Sequence, residues 1–309
     1  MGQEAGRKSV ILGSGHVLLL TGATGLIGTS LLRRLTARGE LVRCLVRDPR
    51  GLGAERVRVQ ITIGDLSDPR AFRNALRGVS IVIHLAGSER DQPHATIEEL
   101  GGLATWRLVR AAEQAGVEHL VFFSALGATP HHRTRLHRAK SLAERAVAES
   151  QLRTTTFAPS LVYAPGDRRL RRLELLSLLP AVPLIGLGRA RTQPIWADDV
   201  ADCVLAALDG RAGAGPHDRF ELAGPETLTH REIVELSLRA AGRPRRLVPV
   251  PHSLLRPLLR GYEATTGPAA LATWDEVELL AASMLTARGT ADAEALGVSP
   301  RAMGAVLGV

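Results

Sequence analysis

The stretch TGATGLIG, residues 21–28, decides the fold. Gly22, Gly25 and Gly28 stand at Gly-x-x-Gly-x-x-Gly spacing directly after the apolar run Val17–Thr21 and directly before a segment with apolar residues at Ile27, Leu31, Leu32 and Leu35. An apolar run of that length reads as a buried strand, and the 3–4 spacing reads as a helix. A strand, a glycine turn and a helix in that order form the first half of a βαβ unit. The first glycine turns the chain sharply, the second lets backbone approach a pyrophosphate, and the third lets the helix lie close to the sheet. The helix N-terminus then offers unpaired N–H groups to phosphate. A glycine triplet alone is weak evidence; its place between strand and helix is what makes it a dinucleotide fingerprint. A second glycine pair, GSG at 13–15, is a decoy, because Leu18 occupies its third position.

Outward from this loop the pattern repeats. Strands are predicted over 40–46, 58–65, 79–87, 119–127 and 154–163, with helices between them, including a long one over 97–114. Strict alternation predicts a doubly wound parallel sheet, a Rossmann α/β fold. Past residue 165 the rhythm changes. A helix over 197–210, capped by Asp198, is followed by a strand over 219–224, a helix over 229–242 and mixed short pieces. The expected division is an N-terminal extension over 1–16, a nucleotide-binding domain over 17–215 with part of the substrate lobe inserted around 165–195, and a small mixed C-terminal lobe over 216–309.

Composition narrows the function. The chain has 309 residues, 45% hydrophobic and 23% charged, an ordinary globular balance. The net charge is +8, yet of 39 basic residues only Lys8 and Lys140 are lysine. The charge therefore reads as a drift toward arginine rather than a nucleic-acid footprint, and with 3% aromatics the chain has little to stack on bases. Cys44 and Cys203 lie in apolar runs, as buried thiols of a reducing compartment do. No metal-ligand spacing, signal peptide or membrane-length apolar run is present, so a cytoplasmic protein is expected, with peripheral contact at the inner face of a membrane as an option.

The end of the second strand usually selects the cofactor, and here it reads VRDP, 46–49. Arginine accepts the 2′-phosphate of NADP, whereas a carboxylate holds the 2′-hydroxyl of NAD. Arg47 favours NADP(H), and Asp48 beside it keeps NAD(H) open.

TGATGLIG, LVRDP, GDLSDP (64–69), IHLAG (83–87), FFSALGA (122–128), APSLVYAPGD (158–167), QPIWADDVA (193–201) and FELAGPETLTHREI (220–233) occur in this order. Through them the chain resembles the atypical short-chain dehydrogenase/reductases, most of all the group related to the nucleotide-binding accessory subunit of respiratory complex I. The likeness runs from residue 17 to about 240. It implies that Gly22, Thr24, Gly25, Leu26 and Ile27 line the pyrophosphate, with Gly28 beneath them, and that Arg47 meets the 2′-phosphate. It further implies that Asp65 and Leu66 flank the adenine and that Ala86 and Gly87 pass beneath the cofactor. Ser124 would stand beside the nicotinamide, Pro159 and Ser160 would back it, and Asp199 would anchor structure.

One part is missing. Catalytic relatives carry Tyr-x-x-x-Lys, in which tyrosine moves the proton while lysine lowers its pKa and holds the ribose. Here Lys140 is present but Leu136 stands four residues before it; Tyr163 and Tyr262, the only tyrosines, are followed at that spacing by Asp167 and Thr266. Lys140 is expected on the ribose. His137, on an adjacent part of the same helix face, is a candidate acid/base, and Ser124 could bond a carbonyl. The basic segments 131–140 and 166–172, beside the apolar stretch 173–188, suggest a cationic cleft rim suited to a quinone-like or lipid-like substrate, or else a solvated face. Three functions stay open: an NADP-dependent oxidoreductase, a cofactor-binding accessory, assembly or redox-sensing protein with a protein partner, and a sugar-nucleotide epimerase or dehydratase.

Overall fold

The computed structural model describes residues 16–212, 215–267 and 270–309. The N-terminal extension and the GSG at 13–15 lie outside the described residues.

The chain builds β1 (Val17–Thr21), α1 (Leu26–Ala37), β2 (Leu41–Val46), β3 (Gln60–Ile63), α2 (Pro69–Ala75), β4 (Val79–His84), α3 (Ala104–Gln114), β5 (His119–Phe123), α4 (Arg135–Ala148) and β6 (Arg153–Pro159). It continues through β7 (Val162–Tyr163), α5 (Arg168–Leu176), β8 (Ala181–Ile185), β9 (Arg191–Thr192), β10 (Ile195–Trp196), α6 (Ala197–Ala206), β11 (His217–Leu222), β12 (Leu228–Thr229), α7 (His230–Ala240), β13 (Arg246–Val250), α8 (His252–Thr266) and α9 (Trp274–Leu280). Two short helices, Ala291–Ala295 and Met303–Leu307, close the chain.

Seven strands form one parallel sheet in the order β11-β6-β5-β4-β1-β2-β3. The order reverses between β1 and β4, which opens a crevice at their C-terminal ends. Alternate side chains feed two cores. Leu18, Leu20, Ile81 and Ile83 pack with Leu31, Leu35, Val200 and Val204 on one face. Leu19, Val82 and Phe122 pack with Phe72, Leu108 and Val147 on the other. This is the two-sided burial that continuous apolar strands require.

Four local expectations are revised. The run 154–163 breaks into β6 and β7, because β7 leaves the sheet to pair with β10. The helix over 97–114 starts with a π-helical turn, Glu99–Leu103. The last sheet strand, β11, comes from beyond residue 215 and lies parallel to β6, so the sheet draws on the segment assigned to the C-terminal lobe. Asp198 does not cap α6; its carboxylate bonds Ser30 and pairs with Arg34 at 3.2 Å, fastening α6 to α1. The rest of the lobe is small paired strands, β8 with β13 and β9 with β12, covered by α5 and α7. Among the described residues no helix is long and apolar enough to cross a membrane.

Candidate functional site

The glycine loop is held by close backbone approach, with the Thr29 hydroxyl donating to the Gly25 carbonyl at 2.9 Å. Gly22 has φ +75°, and a Cβ there would sit 2.7 Å from the Ala86 nitrogen. A Cβ on Gly28 would fall 2.1 Å from the Gly22 carbonyl oxygen. Gly25 opens α1 with no side-chain cap, while Thr24 and Gly25 are exposed, so the loop presents bare backbone to solvent at a helix N-terminus. Such an end suits a phosphate. Ala86 passes directly beneath Gly22, and Leu26 and Ile27 begin the helix behind the loop.

At the end of β2, Arg47 is exposed, with Nη1 3.5 Å from the Gln92 side-chain oxygen. Asp48 is engaged locally: its carboxylate accepts the Arg50 backbone N–H at 2.9 Å. Asp65 Oδ1 accepts both the backbone N–H and the hydroxyl of Ser67 at 2.8 Å. Burial alone would raise the Asp65 pKa, but these bonds and the nearby charges of Arg47 and His94 hold it below the usual carboxylate value. Leu66 beside it is half-buried against the α2–α3 core. Arg47 at the end of β2 thus stands close enough to Asp65, past the end of β3, for its charge to act on that carboxylate.

Beneath the crevice lies a chain of buried polar groups that the sequence reading did not single out. Thr21 and His84 are register partners on β1 and β4. Thr21 Oγ1 lies 2.7 Å from His84 Nδ1, and His84 Nε2 lies 3.0 Å from Thr105 Oγ1. Thr105 donates to the Gly101 carbonyl, so it accepts from Nε2–H; Nδ1 is then the acceptor for Thr21. Burial, aided by the charge of Lys140, pushes the His84 pKa down to about 3, so the ring is neutral. Its signal in the sequence was a histidine closing an otherwise apolar strand, opposite a threonine closing another.

Lys140 lies at the far end of the crevice. Its ammonium donates to the Phe123 carbonyl at 2.6 Å and sits 5.2 Å from the centre of the Phe122 ring. A Cβ on Gly87 would be 3.5 Å from Nζ. Burial lowers the Lys140 pKa to about 8, with Glu144 opposing. Ser124, the next residue after the lysine's carbonyl partner, is buried, and its hydroxyl has no hydrogen-bond partner among the described residues. A buried hydroxyl without a partner is costly unless a ligand supplies one.

His137 does not fit the acid/base role. It is wholly buried; Nε2 donates to the Leu126 carbonyl at 3.0 Å and Nδ1 bonds Thr134 Oγ1 at 2.7 Å, so both nitrogens are used inside the fold. Burial pushes its pKa down to about 4. Ser160 is likewise occupied: its hydroxyl donates to the Met284 carbonyl and accepts the Gln193 N–H, tying the C-terminal segment to the sixth strand. Pro159 is buried beside it and accepts from the Leu126 N–H. Asp199 takes Arg301 through backbone and guanidinium, as an anchor would.

The expected cationic rim is largely neutralised. Arg135 pairs with Asp91, Glu98 and Asp275, Arg169 with Glu89, and Arg172 with Glu276. These acids come from the loop after β4 and from α9, which the sequence pattern could not place beside α4 and α5. Among the described residues no group of three His, Cys, Asp or Glu could hold a metal.

Comparison with known proteins identifies the family and the fold. A family model of NAD(P)H-binding domains matches residues 22–211. Mitochondrial subunit 9 of the NADH dehydrogenase [ubiquinone] 1 alpha subcomplex of Arabidopsis thaliana is 30% identical over 243 residues; the match covers 75% of this chain and 58% of that protein, so the chain spans little more than half its length. The (4-alkanoyl-5-oxo-2,5-dihydrofuran-3-yl)methyl phosphate reductase of Streptomyces griseus is 30% identical, covering 74% of this chain and 76% of its own. An NADPH-dependent quinone oxidoreductase of Escherichia coli, solved with NADPH, superposes with a TM-score of 0.71 over 94% of this chain and 98% of its own at 18% identity, a likeness of fold.

Proposed function

The chain belongs to the NAD(P)H-binding family of atypical short-chain dehydrogenase/reductases, and from that premise we propose that it binds NADPH and passes reducing equivalents to a quinone-like acceptor. The observation that carries this reading is the pairing of a retained Lys140 with Leu136 where the tyrosine would be. The residues fit the cofactor: an open glycine loop at a helix N-terminus, exposed Arg47, a lysine against Gly87, and an orphaned Ser124 hydroxyl.

NADPH, when bound there, supplies a hydride. Arg47 would meet the 2′-phosphate, while one oxygen of the exposed Asp48 caps its own turn through the Arg50 N–H. Asp65 and Leu66 would take the adenine, and Lys140 would hold the ribose, its low pKa keeping the buried ammonium poised near neutrality. Ser124 would give its hydroxyl hydrogen bond to the acceptor oxygen.

The acceptor class follows from the missing acid. Hydride addition to a simple ketone leaves an alkoxide, a base comparable to hydroxide (conjugate acid ~15.7 for water) that needs a positioned proton donor. Hydride addition to a quinone leaves a phenolate-type oxygen, whose conjugate acid lies near ~10, as for tyrosine, and which can take its proton from solvent. His137 is spent in the fold, so it does not stand in for the tyrosine. That also disfavours epimerase and dehydratase chemistry.

The test is NADPH oxidation by the purified protein with a soluble benzoquinone or with an aldehyde. Turnover with the quinone and none with the aldehyde supports the reading; aldehyde turnover at comparable rate defeats it. A second reading rests on the same Leu136 and on the named complex I relatives: a cofactor-binding protein that serves a protein partner without turnover. Tight NADPH binding with no oxidation by either acceptor selects it.

A further inference from the structure

The C-terminal lobe carries a surface that cofactor binding does not use. β8 and β13 run parallel with Arg246 opposite Ala181, so the turns leading into both strands emerge at the same end of the lobe. One turn is the end of α5 with Ser177, Leu178, Leu179 and Pro180; the other is Arg243, Pro244 and Arg245. Arg245 Nε stitches them together, donating to the carbonyls of Ser177 at 2.9 Å and Leu179 at 3.2 Å.

The leucines of this tip divide by role. Leu173 and Leu176 turn inward onto Val182, Leu184, Val234 and Leu238. Leu175, Leu178 and Leu179 belong to no core and are 62%, 64% and 48% exposed. Three large apolar side chains within five residues are more than the scattered exposure normal for a surface. Arg243, Arg245 and Arg246 beside them are exposed, and among the described residues none has a carboxylate within ion-pair distance. This contrasts with Arg135, Arg169 and Arg172 of the cleft rim, each matched to acids. Glu174 is the single acidic residue in the two turns.

We propose that this tip docks on an anionic lipid bilayer surface, with Leu175, Leu178 and Leu179 entering the acyl boundary and Arg243 and Arg246 among the headgroup phosphates. Charge selects the occupant: unpaired arginines around an apolar tip complement a negative interface, where each cation near the surface strengthens binding roughly fivefold and the apolar groups add a salt-resistant component.

The experiment is co-sedimentation of the full chain with vesicles of phosphatidylcholine alone and with vesicles of equal parts phosphatidylcholine and phosphatidylglycerol. Binding is expected to the mixed vesicles only. Leu175→Ser/Leu178→Ser/Leu179→Ser and, separately, Arg243→Glu/Arg246→Glu should each weaken it by about tenfold or more, with thermal melting confirming that both variants fold. Failure of the wild type to bind either vesicle overturns the proposal and leaves the tip to a protein partner. A leucine variant that folds and binds as tightly as the wild type also overturns it, since the binding is then the bulk adsorption of a basic protein.

Discussion

The two ends of the cofactor groove have different histories written in them. The end proposed for adenosine and pyrophosphate carries glycines that admit no Cβ, an open helix N-terminus, an exposed Arg47 and the ionised Asp65. The reaction end keeps the lysine and a serine but has leucine in place of the acid, and its neighbouring histidine is sealed into the fold. On the proposed reading, binding and turnover rest on separable residues, and losing the means for one reaction need not cost the cofactor.

Acid should act first, because His84 beneath the crevice, His137 beside Lys140 on α4 and His119 at the start of β5 are buried and neutral. His84, His119 and His137 have their pKa values pushed by burial to about 3, 4 and 4, below the ordinary 6.5. Their contribution is fully present above pH 6.5 and is lost as pH falls toward the folded values, because only the unfolded chain takes the protons. By pH ~4 each costs roughly 3 kcal/mol, comparable in sum to the stability of a whole domain. Urea denaturation at pH 7 and at successively lower pH should show the midpoint collapsing below about pH 5; a flat profile would mean these rings are solvated.

Gly22→Ala tests the adenosine end alone. A Cβ 2.7 Å from the Ala86 backbone at φ +75° should cost about 2–4 kcal/mol and abolish NADPH binding. Normal melting and normal affinity together would show that the loop is not sterically closed.

Lys140→Met tests the other end. Affinity for NADPH and NADH should fall together, about tenfold, because the ribose is common to both. Stability at pH 7 should rise by about 1–2 kcal/mol, since the buried ammonium is gone although the Phe123 carbonyl loses its donor. Lys140 has a folded pKa of about 8 against the ordinary 10.5, so the variant's advantage is full below pH 8 and fades as pH rises toward 10.5. A selective loss of NADPH would contradict the assignment to the ribose.

The glycine loop was legible because it is local. A glycine triplet between a strand and a helix, and an arginine at the next strand's end, sit within about thirty residues and follow one motif. The reaction end is assembled from distant segments. That His137 faces Leu126 rather than the groove, that Ser160 serves Met284, and that Arg135 meets acids from residues 91, 98 and 275 are facts of tertiary packing with no short-range trace. The same holds for β11, whose place at the sheet edge depends on pairing with β6 across more than fifty residues of intervening lobe.

The most direct test is a fluorescence titration of the cofactor-stripped protein with NADPH and with NADH, repeated on Arg47→Ala. The account predicts tight NADPH and weaker NADH binding by the wild type. In the variant NADPH should weaken by about ten- to a hundredfold while NADH is unchanged, the loss of a charge-assisted phosphate contact. Equal affinity for the two cofactors, or an Arg47→Ala variant that weakens both alike, would contradict it.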